Sequence, residues 1–188
     1  MAISTADFRN GMTLDLDDGL FQLTEFQHVK PGKGGAFVRT TLRNVRTGAT
    51  VERTFRAGER MERAVIDHRE MQYLYADGDD LVFMDTTDYE QLTVSRAGAG
   101  TAPNFLVEGE MATVVRYGDE VLGVELPASV ALEVADTDPG LQGDRVSGAR
   151  KAATMSTGLV VQVPLFIEIG ERLKVDTRSG DYIERARG

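Results

Sequence analysis

The chain has no cysteine, no tryptophan and only two histidines. Without a thiol it can form no disulfide, no thiolate metal site and no cysteine nucleophile, an absence that fits a reducing compartment. His28 and His68 stand too far apart in sequence for the spacing of a metal-ligand pair. Aromatic residues make up only 7% of the 188 positions, so each hydrophobic core is expected to be small. Long apolar runs are also missing. The best candidate, "GLVVQVPLFIEIG", is broken by Gln162, Pro164 and Glu168, and a spanning helix needs about 18 apolar residues without such breaks. The start, "MAISTADFRN", has neither the basic residues nor the apolar stretch of a signal peptide. These absences lead us to expect a soluble, cytoplasmic, monomeric protein with no membrane partner and no cofactor.

Helical periodicity is scarce, and strand patterns follow one another instead. "TLDLDDGLFQLTEF" alternates and turns at Asp18-Gly19, and "MQYLYADGDDLVFMD" does the same at Asp77-Gly78. "ATVVRYGDEVLGVEL" turns at Gly118-Asp119, and "ERLKVDTRSGDYIERA" at Ser179-Gly180. In "AFVRTTLRNV" the period of two puts Arg39, Thr41 and Arg43 on one face, opposite Val38, Thr40 and Leu42. Val130, Leu132 and Val134 are expected to point inward. The Gly/Ala-rich stretch around Pro103 predicts a loop or a brief helix near 104–110, and 136–158 reads as one long loop. Many short, evenly spaced strands predict an all-β protein of small barrels. Charge breaks place three of them at 1–64, 65–127 and 128–188.

The net charge of −9 is distributed unevenly. Residues 1–64 hold ten basic and eight acidic side chains, 65–127 hold three and thirteen, and 128–188 hold eight and nine. Within 30–63 the balance is nine basic to three acidic. Such a basic head beside an acidic middle admits two readings, a polyanion bound by the head alone or an ordinary solvated surface.

The stretch "HVKPGKGGAF" concentrates the question. Lys33 lies between Gly32 and Gly34, with Pro31 before this core and Gly35 after it. Glycine adopts positive φ without steric cost, so the residues permit a thin hairpin tip that carries one amine. Taken alone, these residues more readily describe an ordinary surface turn with an incidental solvated lysine. A phosphate-cradling loop is excluded, because Gln27 stands where G-x-x-x-x-G-K-[ST] requires Gly and Gly34 where it requires Ser or Thr. No catalytic triad, carboxylate dyad or metal-ligand set is legible.

Three stretches in order carry a resemblance. "VKPGKGGAFVRTTLRNVRTGATVERTFRAGERMERA", then "MQYLYADGDDLVFMD" with "YEQL", then "ADTDPGLQGDRVSGARKAATMSTGLVVQVPLFIEIGERLKVDTRSGDYIER" resemble the bacterial translation elongation factor P family along the full chain. The resemblance implies an N-terminal SH3-like (KOW-type) barrel and two OB-fold barrels in an elongated, tRNA-like arrangement. It implies a non-enzymatic factor that binds ribosomal RNA and proteins between the peptidyl and exit sites and relieves stalling at consecutive prolines. Lys33 matches the lysine whose amine points toward the acceptor end of peptidyl-tRNA, and which a modifying enzyme extends in many members. Lys30, Arg39 and Arg43 become candidates to meet RNA phosphates, and Tyr182 matches a tyrosine placed on RNA. Gly143, Asp144, Arg145 and Gly148 match a loop that reaches mRNA near the exit-site codon. Gly35 departs from members with proline there, and "SRAGAGTAPNFLVEG" departs from a longer, more polar helical segment.

Overall fold

Period-two alternation becomes antiparallel sheet. The computed structural model describes residues 1–140 and 148–187. Among the described residues, strands form three sheets of six, five and five members, and no helix is long and apolar enough to cross a membrane. The all-β expectation therefore holds.

The first sheet contains β1 (Ala2–Ser4), β2 (Thr13–Leu16), β3 (Gly19–Val29), β4 (Phe37–Asn44), β5 (Thr50–Arg56) and β6 (Arg60–Ala64), in the order β1-β6-β2-β3-β4-β5. Leu14, Leu23, Val38 and Leu42 are fully buried in its interior, with Ile3, Phe8, Phe21 and Phe55 around them. The second sheet has β7 (Asp67–Asp77), β8 (Asp80–Asp85), β9 (Gln91–Ser95), β10 (Met111–Tyr117) and β11 (Glu120–Glu125), ordered β11-β10-β7-β8-β9. Met71, Leu81, Phe83, Val94 and Val114 are buried there. The third has β12 (Ser129–Thr137), β13 (Arg150–Met155), β14 (Val160–Pro164), β15 (Arg172–Asp176) and β16 (Tyr182–Arg185), ordered β14-β13-β12-β15-β16.

The chain divides into two compact units. One comprises Met1–Asp67 with Arg116–Leu122, the other His68–Val115 with Gly123–Gly188. Within the first unit the tip of the β10–β11 hairpin is fastened to β2 and to the β4–β5 loop. The Tyr117 hydroxyl donates to Asp15 at 2.9 Å, and Arg46 donates twice to Glu120, at 3.0 and 2.7 Å. The bond to Asp15 holds the Tyr117 phenol above its ordinary pKa.

Within the second unit, Ala102–Asn104 forms a single 3₁₀ turn, earlier than the brief helix anticipated at 104–110. Two strongly apolar residues follow it. Phe105 enters the core of the third sheet among Leu132, Val134, Met155, Ile167 and Leu173, and Thr157 Oγ1 donates to the Asn104 carbonyl at 2.6 Å. Burial of Phe105, Leu106 and Ala102 fixes the turn where it is.

Other expectations need correction. The stretch 136–158 is not one loop, because β13 crosses it and pairs with both β12 and β14. Its inward residues are Ala153 and Met155, and the alanines around them hide the alternation that marks other strands. The first hairpin turns at Asp17-Asp18 and the next at Gly78-Asp79, each one residue away from the expected dipeptide. In the first hairpin Gly19 already belongs to the strand, at φ +139. β1 and β6 carry too few apolar residues to be legible. They pair with each other, and the N-terminal ammonium meets Glu62 at 2.8 Å.

Candidate functional site

The hairpin of β3 and β4 presents Lys33. Its last ladder pairs are His28 with Val38 and Val29 with Phe37, which leaves Lys30–Ala36 as a seven-residue connection. Pro31, Gly32, Lys33, Gly34 and Gly35 are all exposed. Only Gly34 takes a left-handed backbone, at φ +107. A side chain at Gly32 or Gly35 would meet nothing within 4 Å. The tip is thus slender because it lacks side chains, and only one of its glycines is required by a positive φ. Among the described residues no carboxylate pairs with the Lys33 amine.

The stalk below the loop carries an irregularity within its sheet. A β-bulge between Leu23 and Glu25 places one extra residue, Thr24, in β3, and Thr24 Oγ1 donates to the Thr41 carbonyl at 2.9 Å. Beyond the bulge it is Phe26, half-buried, and His28, exposed, that stand opposite the buried Thr40 and Val38 of β4. Aromatic rings then run up the hairpin in edge-to-face contact. Phe55 to Phe8 is 5.9 Å, Phe8 to Phe26 is 6.0 Å, and Phe26 to His28 is 5.7 Å between centroids. Neither the bulge nor the ring series was legible in the sequence, because Thr24 suits either face of a strand.

Charge on this hairpin is partly spent. Arg53 donates to both Asp18 oxygens at 3.0 and 2.6 Å and lies 5.3 Å from the centre of the Phe21 ring. That pairing raises the Arg53 pKa and lowers that of Asp18. Arg46 is held by Glu120. Lys30, Arg39 and Arg43 are exposed and pair with no carboxylate among the described residues. Part of the free positive charge of the head therefore stands on the outward face of β4 and in the loop, available to an anion, with further exposed cations at Arg9, Arg56, Arg60 and Arg63.

The tail residues are placed differently. Gly143, Asp144 and Arg145 lie outside the described residues. Gly148 has φ +87, with open space where a side chain would be. Tyr182 is half-buried against the third core, opposite Val175, so part of its ring is used in packing. Among the described residues no group of three or more His, Asp or Glu side chains could hold a metal ion.

Comparison with known proteins gives one consistent answer. Residues 4–61 match the elongation factor P (EF-P) KOW-like domain, 66–124 the elongation factor P OB domain and 130–185 the elongation factor P C-terminal domain. Elongation factor P of Clavibacter michiganensis subsp. michiganensis is 57% identical over 182 residues, 97% of each chain. The chain belongs to the elongation factor P family. Elongation factor P of Maridesulfovibrio salexigens is 55% identical over 97% of this chain and 98% of its own, and that of Moorella thermoacetica 53% over 98% and 100%. The fold also resembles eukaryotic translation initiation factor 5A from Methanococcus jannaschii. That likeness has a TM-score of 0.52 at 21% identity, over 64% of this chain and 91% of the other. An initiation factor 5A family protein from Naegleria fowleri gives 0.55 at 17% identity, over 67% and 98%. As an elongation factor P the chain is a translation factor, and the Lys33 hairpin lies inside its KOW-like match.

Proposed function

We propose that this chain binds the ribosome between the peptidyl and exit sites and stimulates peptide-bond formation where consecutive prolines stall it. The observation that carries the reading is the unpartnered Lys33 amine on a tip bare of other large side chains. A slender loop can enter a narrow cleft in RNA, and a compact ammonium can there hold the acceptor end of peptidyl-tRNA. Lys30, Arg39 and Arg43 meet RNA phosphates on the way in. The factor forms no covalent bond with its substrate and acts by positioning. A misplacement of about 1 Å costs on the order of 10²-fold in rate, so restoring a productive pose is a sufficient mechanism. The exposed amine is also open to a lysine-modifying enzyme.

The three modules divide the work. Residues 1–64 serve the peptidyl-tRNA, the acidic 65–127 avoids non-specific adhesion to RNA, and 128–188 bring Gly143, Asp144, Arg145 and Gly148 to mRNA at the exit-site codon, with the exposed part of Tyr182 against RNA. The protein works in the cytoplasm as a monomer.

The experiment is translation through a run of prolines, with a proline-free reporter as control. Lys33→Ala is expected to abolish the stimulation while leaving the melting temperature unchanged, since the side chain packs against nothing. Lys33→Arg keeps the charge but widens the head group, and it is expected to be largely inactive. Full stimulation by Lys33→Ala would reduce the chain to a structural RNA-binding protein.

A further inference from the structure

The ring series that climbs the hairpin does not end inside the core. Its last member, His28, is exposed, although Val38 directly opposite is fully buried and Phe26 is half-buried. The imidazole makes no hydrogen bond or ion pair among the described residues. Its one ring contact is with Phe26, at 5.7 Å between centroids and 90° between planes. At a right angle one ring gives its edge and the other its face. Whichever gives the edge, at least one face of the imidazole stays open to water. The contact also holds the tilt of that face, so little freedom is left to lose when a flat group stacks on it. The strand asks for none of this. A valine or threonine at position 28 would pair with Val38 and suit the ladder equally well.

The charges around the ring choose its partner. From Phe26 to Arg43 the hairpin holds four cations, Lys30, Lys33, Arg39 and Arg43, and no carboxylate. Arg39 and Arg43 leave β4 on the face opposite to that of Val38 and His28, by the period of two. One side of the stalk thus offers cations and the other an open ring. A nucleotide carries both complements, a phosphate and a flat base, and single-stranded RNA lays its bases on exposed rings while its backbone follows positive charge. An acidic protein surface would meet the cations and leave the ring unused.

We propose that His28 is a positioning residue of the lysine hairpin, whose open imidazole face stacks on an unpaired nucleobase of ribosomal or transfer RNA while Lys30 and Arg39 meet the backbone on the other side of the stalk. The stack fixes how far the hairpin enters and so where its tip stops. The inference deepens the ribosome-binding reading above and rests on it.

The test uses the full-length protein and purified bacterial ribosomes carrying peptidyl-tRNA. His28→Ala should weaken ribosome binding about 5- to 150-fold, the range of one base–aromatic stack. Stacking releases no counterion, so the slope of log affinity against log salt should match the wild type. Lys30→Ala, which removes a phosphate contact, should flatten that slope by about 1. His28→Phe keeps a ring and should bind like the wild type. His28→Gln keeps polar atoms without a ring and should bind like His28→Ala. With p-benzoylphenylalanine at position 28, irradiation should link the factor to RNA, and the size of the linked RNA tells transfer RNA from ribosomal RNA. Should His28→Ala unfold, this crosslink decides, because the variant that makes it retains a ring. Wild-type affinity in His28→Ala or His28→Gln overturns the proposal, as does the absence of any RNA crosslink. Weak binding by His28→Phe, or a slope flattened by His28→Ala, assigns the imidazole a contact through its nitrogens and overturns stacking also. If the wild type itself fails to bind ribosomes, the ribosome-binding reading falls together with this one. Binding by the wild type with no effect of His28→Ala removes this inference alone.

Discussion

The loop from Lys30 to Ala36 and the segment from Ala97 to Val107 have nearly the same vocabulary of glycines, alanines and one proline. Their fates are opposite. The first stands in solvent along almost its whole length. The second buries Ala99, Ala102, Phe105 and Leu106, and Phe105 completes the core of the third sheet. Glycine and proline mark both as connections but do not say whether a connection packs. That is decided by one or two large apolar side chains. Phe105 and Leu106 supply them, and Lys30–Ala36 has none.

Removing the ring from the buried segment should bring the two closer together. Phe105→Ala is expected to cost about 3–5 kcal/mol, the range for a buried aromatic truncated to alanine. Denaturant unfolding should show the loss, while proline-run stimulation at low temperature stays near wild type. A loss under about 1 kcal/mol would mean that the segment rests on the surface of the sheet instead of in its core.

Stiffening the exposed loop makes the reverse change. Gly34→Val places a β-branched residue at φ +107 and thickens the tip. The strain should cost about 1–2 kcal/mol, and stimulation through prolines should fall at least tenfold. Gly32→Ala, with no neighbour within 4 Å, is the matched control and should change stability little. If both variants stimulate translation fully, the width of the tip has no bearing on its use.

Acid should separate a structured turn from the open loop with the smallest effect. The Asp176 carboxylate accepts from the backbone N–H groups of Ser179 and Arg178, at 3.0 and 2.7 Å, and these bonds depress its pKa. A carboxylate whose folded pKa lies below its unfolded value of about 3.9 stabilises the fold above that pH, and the contribution is lost as pH falls through the folded pKa. Amide exchange at Ser179 and Arg178 should therefore accelerate, relative to intrinsic rates, as the pH drops below about 4. Gly34, with no carboxylate partner nearby, should follow its intrinsic rate throughout. Equal behaviour at both places would show that the aspartate bonds do not hold the turn in solution.

The sequence was most informative where one rule acted alone. Arg39 and Arg43 face outward as the period of two requires, and Lys33 stands free as its glycine neighbours suggested. It was least informative where tertiary partners decide. Ala152 and Ala153 look the same in a loop as in β13, and Arg60–Ala64 is too charged to resemble the strand it is. The burial of Phe105 depends on a core that lies elsewhere in the chain. Tyr89 was visible within "YEQL", but its backbone angle, φ +64, was not, since nothing in the tetrapeptide asks for positive φ.

The bulge at Thr24 has a consequence for how the hairpin can change. A bulge adds twist to its strand, so the direction of the stalk is set in the sheet, far from the loop that carries the amine. Removing Thr24 would leave Leu23 opposite Leu42, Phe26 opposite Thr40 and His28 opposite Val38, the pairs the ladder already makes. The added twist would go, and with it the Thr24 Oγ1 bond to the Thr41 carbonyl. The aim of Lys33 and its chemistry are thus written in separate places along the chain, so the hairpin can be re-aimed by one residue with its glycines untouched, or re-equipped at the tip with its bearing unchanged.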